Sequence, residues 1–77
     1  MADIVTIPAD GVGNLLFLKD VRRKDGRIFI KYRSTFNDVP FQEVELHSAD
    51  GGINYVITGG DGTTLWRFSK VWIEKLD

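Results

Sequence analysis

Cysteine is absent, which removes disulfide frameworks, thiolate metal sites and cysteine nucleophiles together. One histidine leaves a transition-metal site without its usual ligands. No apolar run approaches a membrane span, and Met1-Ala2-Asp3 opens on an acid where a secretory signal carries positive charge. The expectation is a soluble, cytoplasmic protein. Net charge is scarce as well: ten Lys/Arg stand against eleven Asp/Glu, giving −1. Dedicated nucleic-acid binders carry a clear positive balance, so that function does not follow from total charge.

What is present is an ordinary globular composition, 43% apolar and 27% charged, which argues against wholesale disorder. Seventy-seven residues make one small domain spanning 1–77, burying roughly 60% of the surface its unfolded chain exposes. A deep substrate cavity does not fit easily in so small a core. That weighs against an enzyme.

Gly follows Asp at Asp10-Gly11, Asp25-Gly26, Asp50-Gly51 and Asp61-Gly62. The last three are flanked by apolar and β-branched residues, the pattern of two-residue type I′ hairpins. Such a turn fixes cross-strand register, and hence which side chains share a face. Around Asp25-Gly26 it sets Val21 against Ile30 and Lys19 against Tyr32, with Phe17 on the same, core-facing side. The other side carries Leu18 with Arg33, Asp20 with Lys31, Arg22 with Phe29 and Lys24 with Arg27. Asp20–Lys31 is then a charge pair, and Arg22 over Phe29 a cation–π contact.

Around Asp50-Gly51 and Asp61-Gly62 the same rule gives the rows Leu46–Tyr55–Phe68 and Val44–Ile57–Trp66. Residues 42–70 therefore read as a three-stranded meander with one aromatic, buried face. A turn at Asn37-Asp38-Val39-Pro40 joins it to the first hairpin. Asp3–Ile7 reads as a short strand and Asp10–Asn14 as a Gly-rich loop. The tail Val71–Leu76 reads as a final strand, with one helical turn after Ser69 as the alternative. The fold class is all-β: a small antiparallel meander of five to six strands, closing into an SH3-like barrel or a strongly bent sheet.

Signals for chemistry are weak. His47-Ser48-Ala49-Asp50 has the letters of a triad, but in adjacent positions that point to opposite faces of a strand. Gly59-Gly60-Asp61-Gly62-Thr63-Thr64 resembles a calcium-binding nonapeptide in a single copy, with Thr64 where a ligating Asp belongs. Gly11-Val12-Gly13 lacks both a third glycine and a βαβ setting. Glu43 and Glu45 share one strand face and read as a solvated pair. No catalytic, metal or cofactor site and no small-molecule substrate are expected.

The strongest functional signal is a charge division. Residues 1–37 hold seven basic residues against four acids, and residues 38–77 hold three against seven. All seven basic residues fall on the first hairpin, and Arg22, Lys24, Arg27, Lys31 and Arg33 share its outward face in the register above. Leu16, Leu18 and Phe29 lie on that face too, and a contiguous apolar group rimmed by Arg suggests that something covers it. The expected function is a non-enzymatic protein-binding module, an adaptor, assembly subunit or inhibitor, a phage-type accessory protein among them. Its partner-binding residues would be Leu18, Arg22, Lys24, Arg27, Phe29, Lys31 and Arg33, engaging a protein partner or a second copy. The alternative is a nucleic-acid-binding small barrel that uses the same hairpin.

Overall fold

The computed structural model describes residues 4–8, 15–35 and 39–76. Six strands run in chain order and are followed by a short helix: β1 (Val5–Pro8), β2 (Leu15–Lys24), β3 (Arg27–Ser34), β4 (Gln42–Leu46), β5 (Asn54–Thr58), β6 (Thr64–Ser69) and α1 (Lys70–Glu74). They form an antiparallel four-stranded sheet, β1-β2-β3-β4, and a separate two-stranded sheet, β5-β6. The all-β expectation holds. Among the described residues no barrel closes: β4 and β5 are joined by one bridge, His47 to Val56. The Gly-rich loop expected at 10–14 and the first residues of the 37–40 turn lie outside the described residues.

The β2–β3 turn is as the sequence dictates. Asp25 and Gly26 have φ of 54° and 76°, the paired left-handed conformation of a type I′ turn. From there Lys24 faces Arg27, Arg23 faces Ile28 and Arg22 faces Phe29. Then the expected register breaks. Lys19 faces Lys31, Leu18 faces Tyr32 and Phe17 faces Arg33, so Asp20 and Val21 together oppose Ile30. Asp20 takes the left-handed conformation, φ 56°, and forms a β-bulge with one extra residue in β2.

Because side chains alternate every residue, that bulge exchanges the faces of residues 15–19. Leu16 and Leu18 point inward and are fully buried, while Phe17 and Lys19 point outward. Leu18 therefore leaves the expected partner-binding set: it is a core residue. Leu16 likewise needs no external cover.

The other two Asp-Gly steps are not two-residue turns. Residues 48–53 form a longer loop, and the His47–Val56 bridge displaces the β4–β5 register by two residues. A two-residue displacement keeps each side chain on its face, so Leu46 and Ile57 still meet in the core. In the β5–β6 hairpin, Gly62 N–H donates to Gly59 O at 3.0 Å and Gly59 N–H to Thr63 O at 2.8 Å. The loop is thus one residue longer than expected. A compensating bulge then leaves Leu65 out of the ladder, and the expected pairs Ile57–Trp66 and Tyr55–Phe68 are restored.

The tail is helical, not a strand. Ile73 and Leu76, three apart, both reach the core, a spacing that suits a helical turn better than strand alternation. The core lies between the four-stranded sheet on one side and β5, β6 and α1 on the other. It is built from Ile7, Leu16, Leu18, Ile30, Leu46, Ile57, Phe68, Ile73 and Leu76.

Candidate functional site

The outward face of the four-stranded sheet is organised as rows across the strands. At the hairpin end lie Lys24 and Arg27, then Arg22, Phe29 and Glu45. Past the bulge come Lys19, Lys31 and Glu43, and then Thr6, Phe17 and Arg33. Phe41, just before β4, extends the Arg33 row. Six cations share this face with three carboxylates, Asp20, Glu43 and Glu45.

Carboxylates and cations meet across strands on the hairpin side. Arg27 Nε and Nη2 donate to the two oxygens of Glu45 at 2.8 and 2.6 Å, a bidentate pairing that aligns the guanidinium fork with the carboxylate. Those hydrogen bonds, foremost, lower the Glu45 pKa below the ordinary carboxylate value, and they raise that of Arg27 in turn. Arg22 Nη2 donates to Glu43 at 3.2 Å, and Lys31 lies 3.6 Å from Asp20. Two guanidinium groups also sit over the Phe29 ring, Arg22 at 4.6 Å and Arg27 at 5.4 Å from its centroid.

The other side of the face is different. Arg33 lies 4.7 Å from the Phe17 ring centroid and 5.8 Å from that of Phe41. Lys19 lies 4.2 Å over Phe41. Among the described residues no carboxylate pairs with Lys19, Lys24 or Arg33.

Of the residues the sequence nominates, Arg22, Lys24, Arg27, Phe29, Lys31 and Arg33 do share this face. Leu18 does not. Sequence reasoning missed Phe17 and Lys19, placed inward by the unbroken register, and Phe41, to which it gave no role. It also read Glu43 and Glu45 as plainly solvated, where they are the cross-strand partners of Arg22 and Arg27. The β3–β4 register is what brings them together.

The remaining candidates are structural in their geometry. Ser48 Oγ donates to Asp50 Oδ1 at 2.8 Å and accepts from Gly52 N–H at 2.8 Å. Asp50 also accepts from Ile53 N–H and from the backbone and side-chain nitrogens of Asn54. This convergence of donors, Asn54 foremost, holds the Asp50 pKa at about 2. Asp61 accepts from the Thr63 N–H and hydroxyl, which lowers its pKa and closes the β5–β6 loop. No three His, Asp or Glu side chains gather into a metal-binding group among the described residues. A cleft of about 210 Å³ opens between Tyr32, Ser34, Val39, Gln42, Leu65 and Trp66, and a more open one of about 350 Å³ lies beside Arg27, Glu45, His47, Ser48 and Tyr55.

Comparison with known protein families, characterised proteins and solved structures finds no match to this chain.

Proposed function

We propose that the chain is a non-enzymatic protein-binding module of the cytoplasm, an adaptor, assembly subunit or inhibitor that engages its partner through the outward face of β2, β3 and β4. The observation that carries this reading is the mixture on that face: six cations interleaved with three aromatic rings, half of the cations already matched by carboxylates. Arg and aromatic side chains are favoured at the centres of protein interfaces.

A nucleic-acid backbone suits the face less well. Asp20, Glu43 and Glu45 lie among the cations and would repel phosphates along the middle of the ribbon. The Phe29 ring, on which a base would stack, already carries Arg22 and Arg27 over it.

The test sets the two ligand classes against each other by fluorescence polarisation at low and near-physiological salt. A random-sequence oligonucleotide is expected to bind weakly at low salt and to be lost as salt rises. Saturable oligonucleotide binding that persists at near-physiological salt would overturn the protein-binding reading.

A further inference from the structure

The outward face has two unlike ends. Toward the hairpin, the three carboxylates neutralise Arg22, Arg27 and Lys31. Toward the other end, Lys19 and Arg33 are both held at the Phe41 ring, and among the described residues no carboxylate lies against either. Two like charges gathered at one ring favour an anion that comes between them. Both residues are half-buried and their charged heads lie over aromatic rings, so the heads are already positioned and less side-chain entropy is lost on binding.

This end is also the apolar one. Leu15 faces outward beside the Phe17–Arg33 row and is 41% exposed, and Ile4, which continues the alternation of β1, is 52% exposed. Pro8 pairs with Leu15 on the same face. Large aliphatic side chains next to the cations of Lys19 and Arg33 suit a ligand that is both acidic and apolar.

We infer that the end formed by Leu15, Phe17, Lys19, Arg33 and Phe41 is the docking point, and that its occupant is an acidic peptide segment bearing a large apolar side chain. The carboxylates of the segment meet Lys19 and Arg33, and its apolar side chain lies against Leu15 and Phe17. This inference rests on the protein-binding reading and narrows it to one end of the face. Among the described residues the hairpin end is charge-matched at Arg22, Arg27 and Lys31 though not at Lys24, and its Glu43 and Glu45 repel alternative acidic registers.

The experiment uses the full chain and a short labelled peptide in which Glu and Phe alternate, with a Lys/Phe peptide as control. Lys19→Glu and Arg33→Glu are each expected to weaken Glu/Phe binding by about tenfold, since reversal turns an attraction into a repulsion. Lys24→Glu makes the same change in net charge at the hairpin end and is expected to alter binding by less than about twofold. Leu15→Asn is expected to weaken it by about threefold to tenfold. The milder Lys19→Gln and Arg33→Gln, checked by circular dichroism, guard against a folding defect. An equal loss with Lys24→Glu, or equal affinity for the Lys/Phe peptide, overturns the inference and leaves the binding face standing. If the wild-type chain binds neither peptide but takes the oligonucleotide at near-physiological salt, the broader reading falls with it.

Discussion

Deleting Asp20 should leave the protein folded, although the residue sits in the middle of its longest strand. Asp20 is the extra residue of the bulge: Lys19 already faces Lys31, and Arg22 already faces Phe29. Without it, Val21 alone opposes Ile30 and both flanking registers continue unchanged. The deletion removes a left-handed non-glycine residue, a conformation that costs roughly 1–2 kcal/mol. It also removes an exposed ion pair to Lys31, worth on the order of 0–1 kcal/mol. The net change should stay within about 1 kcal/mol in either direction.

Deleting Val21 is the contrasting perturbation. It forces Asp20 into the inward position opposite Ile30, which is fully buried, and strips half-buried packing from the core. Placing a carboxylate there costs several kcal/mol. A domain of this size has only about 4–12 kcal/mol to lose. Urea unfolding followed by far-UV circular dichroism and tryptophan fluorescence compares the two deletions. If removing Asp20 unfolds the chain, or costs as much as removing Val21, the bulge argument is wrong.

The remaining predictions concern the core, the turn and acid stability. Leu18→Ala should cost about 2–5 kcal/mol, because the side chain is fully buried, and Phe29→Ala distinctly less. The midpoint of urea unfolding checks the order. Gly26→Val should destabilise by roughly 1–2 kcal/mol through the backbone alone, since φ is 76° and no atom lies within 4 Å of the added Cβ; Gly26→Asn, which tolerates that conformation, should recover most of the loss in the same assay. The Asp50 pKa is held at about 2 against an ordinary 3.8, so its contribution is complete above the ordinary value and is lost as pH falls through about 2. Thermal melting between pH 5 and pH 2 (on the order of the carboxylate range) should show a smaller drop in Asp50→Ala than in the wild type.

How legible the fold was depended on whether a signal was local. The Asp25-Gly26 turn, the inward rows through Ile30, Val44, Leu46, Ile57 and Phe68, and the Ile57–Trp66 register all follow from turn chemistry and alternation. The Asp50 loop was misread as a tight turn because its carboxylate works as an acceptor for residues four positions on, which an Asp-Gly pair does not disclose. The helical tail was hidden by the Val71–Ile73 alternation, and only the Ile73–Leu76 spacing spoke against a strand. The bulge mattered most for the candidate site. Its trace was the oddity of Leu16 and Leu18 stranded on a charged face under an unbroken register. One extra residue at Asp20 removes that oddity and brings Phe17 and Lys19 to the surface. Composition marked the first hairpin as basic, but the neutralising Glu43 and Glu45 became visible only through β3–β4 pairing.

The central claim is that this sheet face binds a protein, at its Lys19–Arg33 end. It is tested most directly by nuclear magnetic resonance, following backbone amide and Arg/Lys side-chain signals as the Glu/Phe peptide is added at near-physiological salt. The account predicts saturable shifts clustered at Leu15, Phe17, Lys19, Arg33 and Phe41, with Lys24 and Arg27 little changed. Shifts centred on the 210 Å³ cleft at Tyr32 and Trp66, or confined to the hairpin tip, would contradict it.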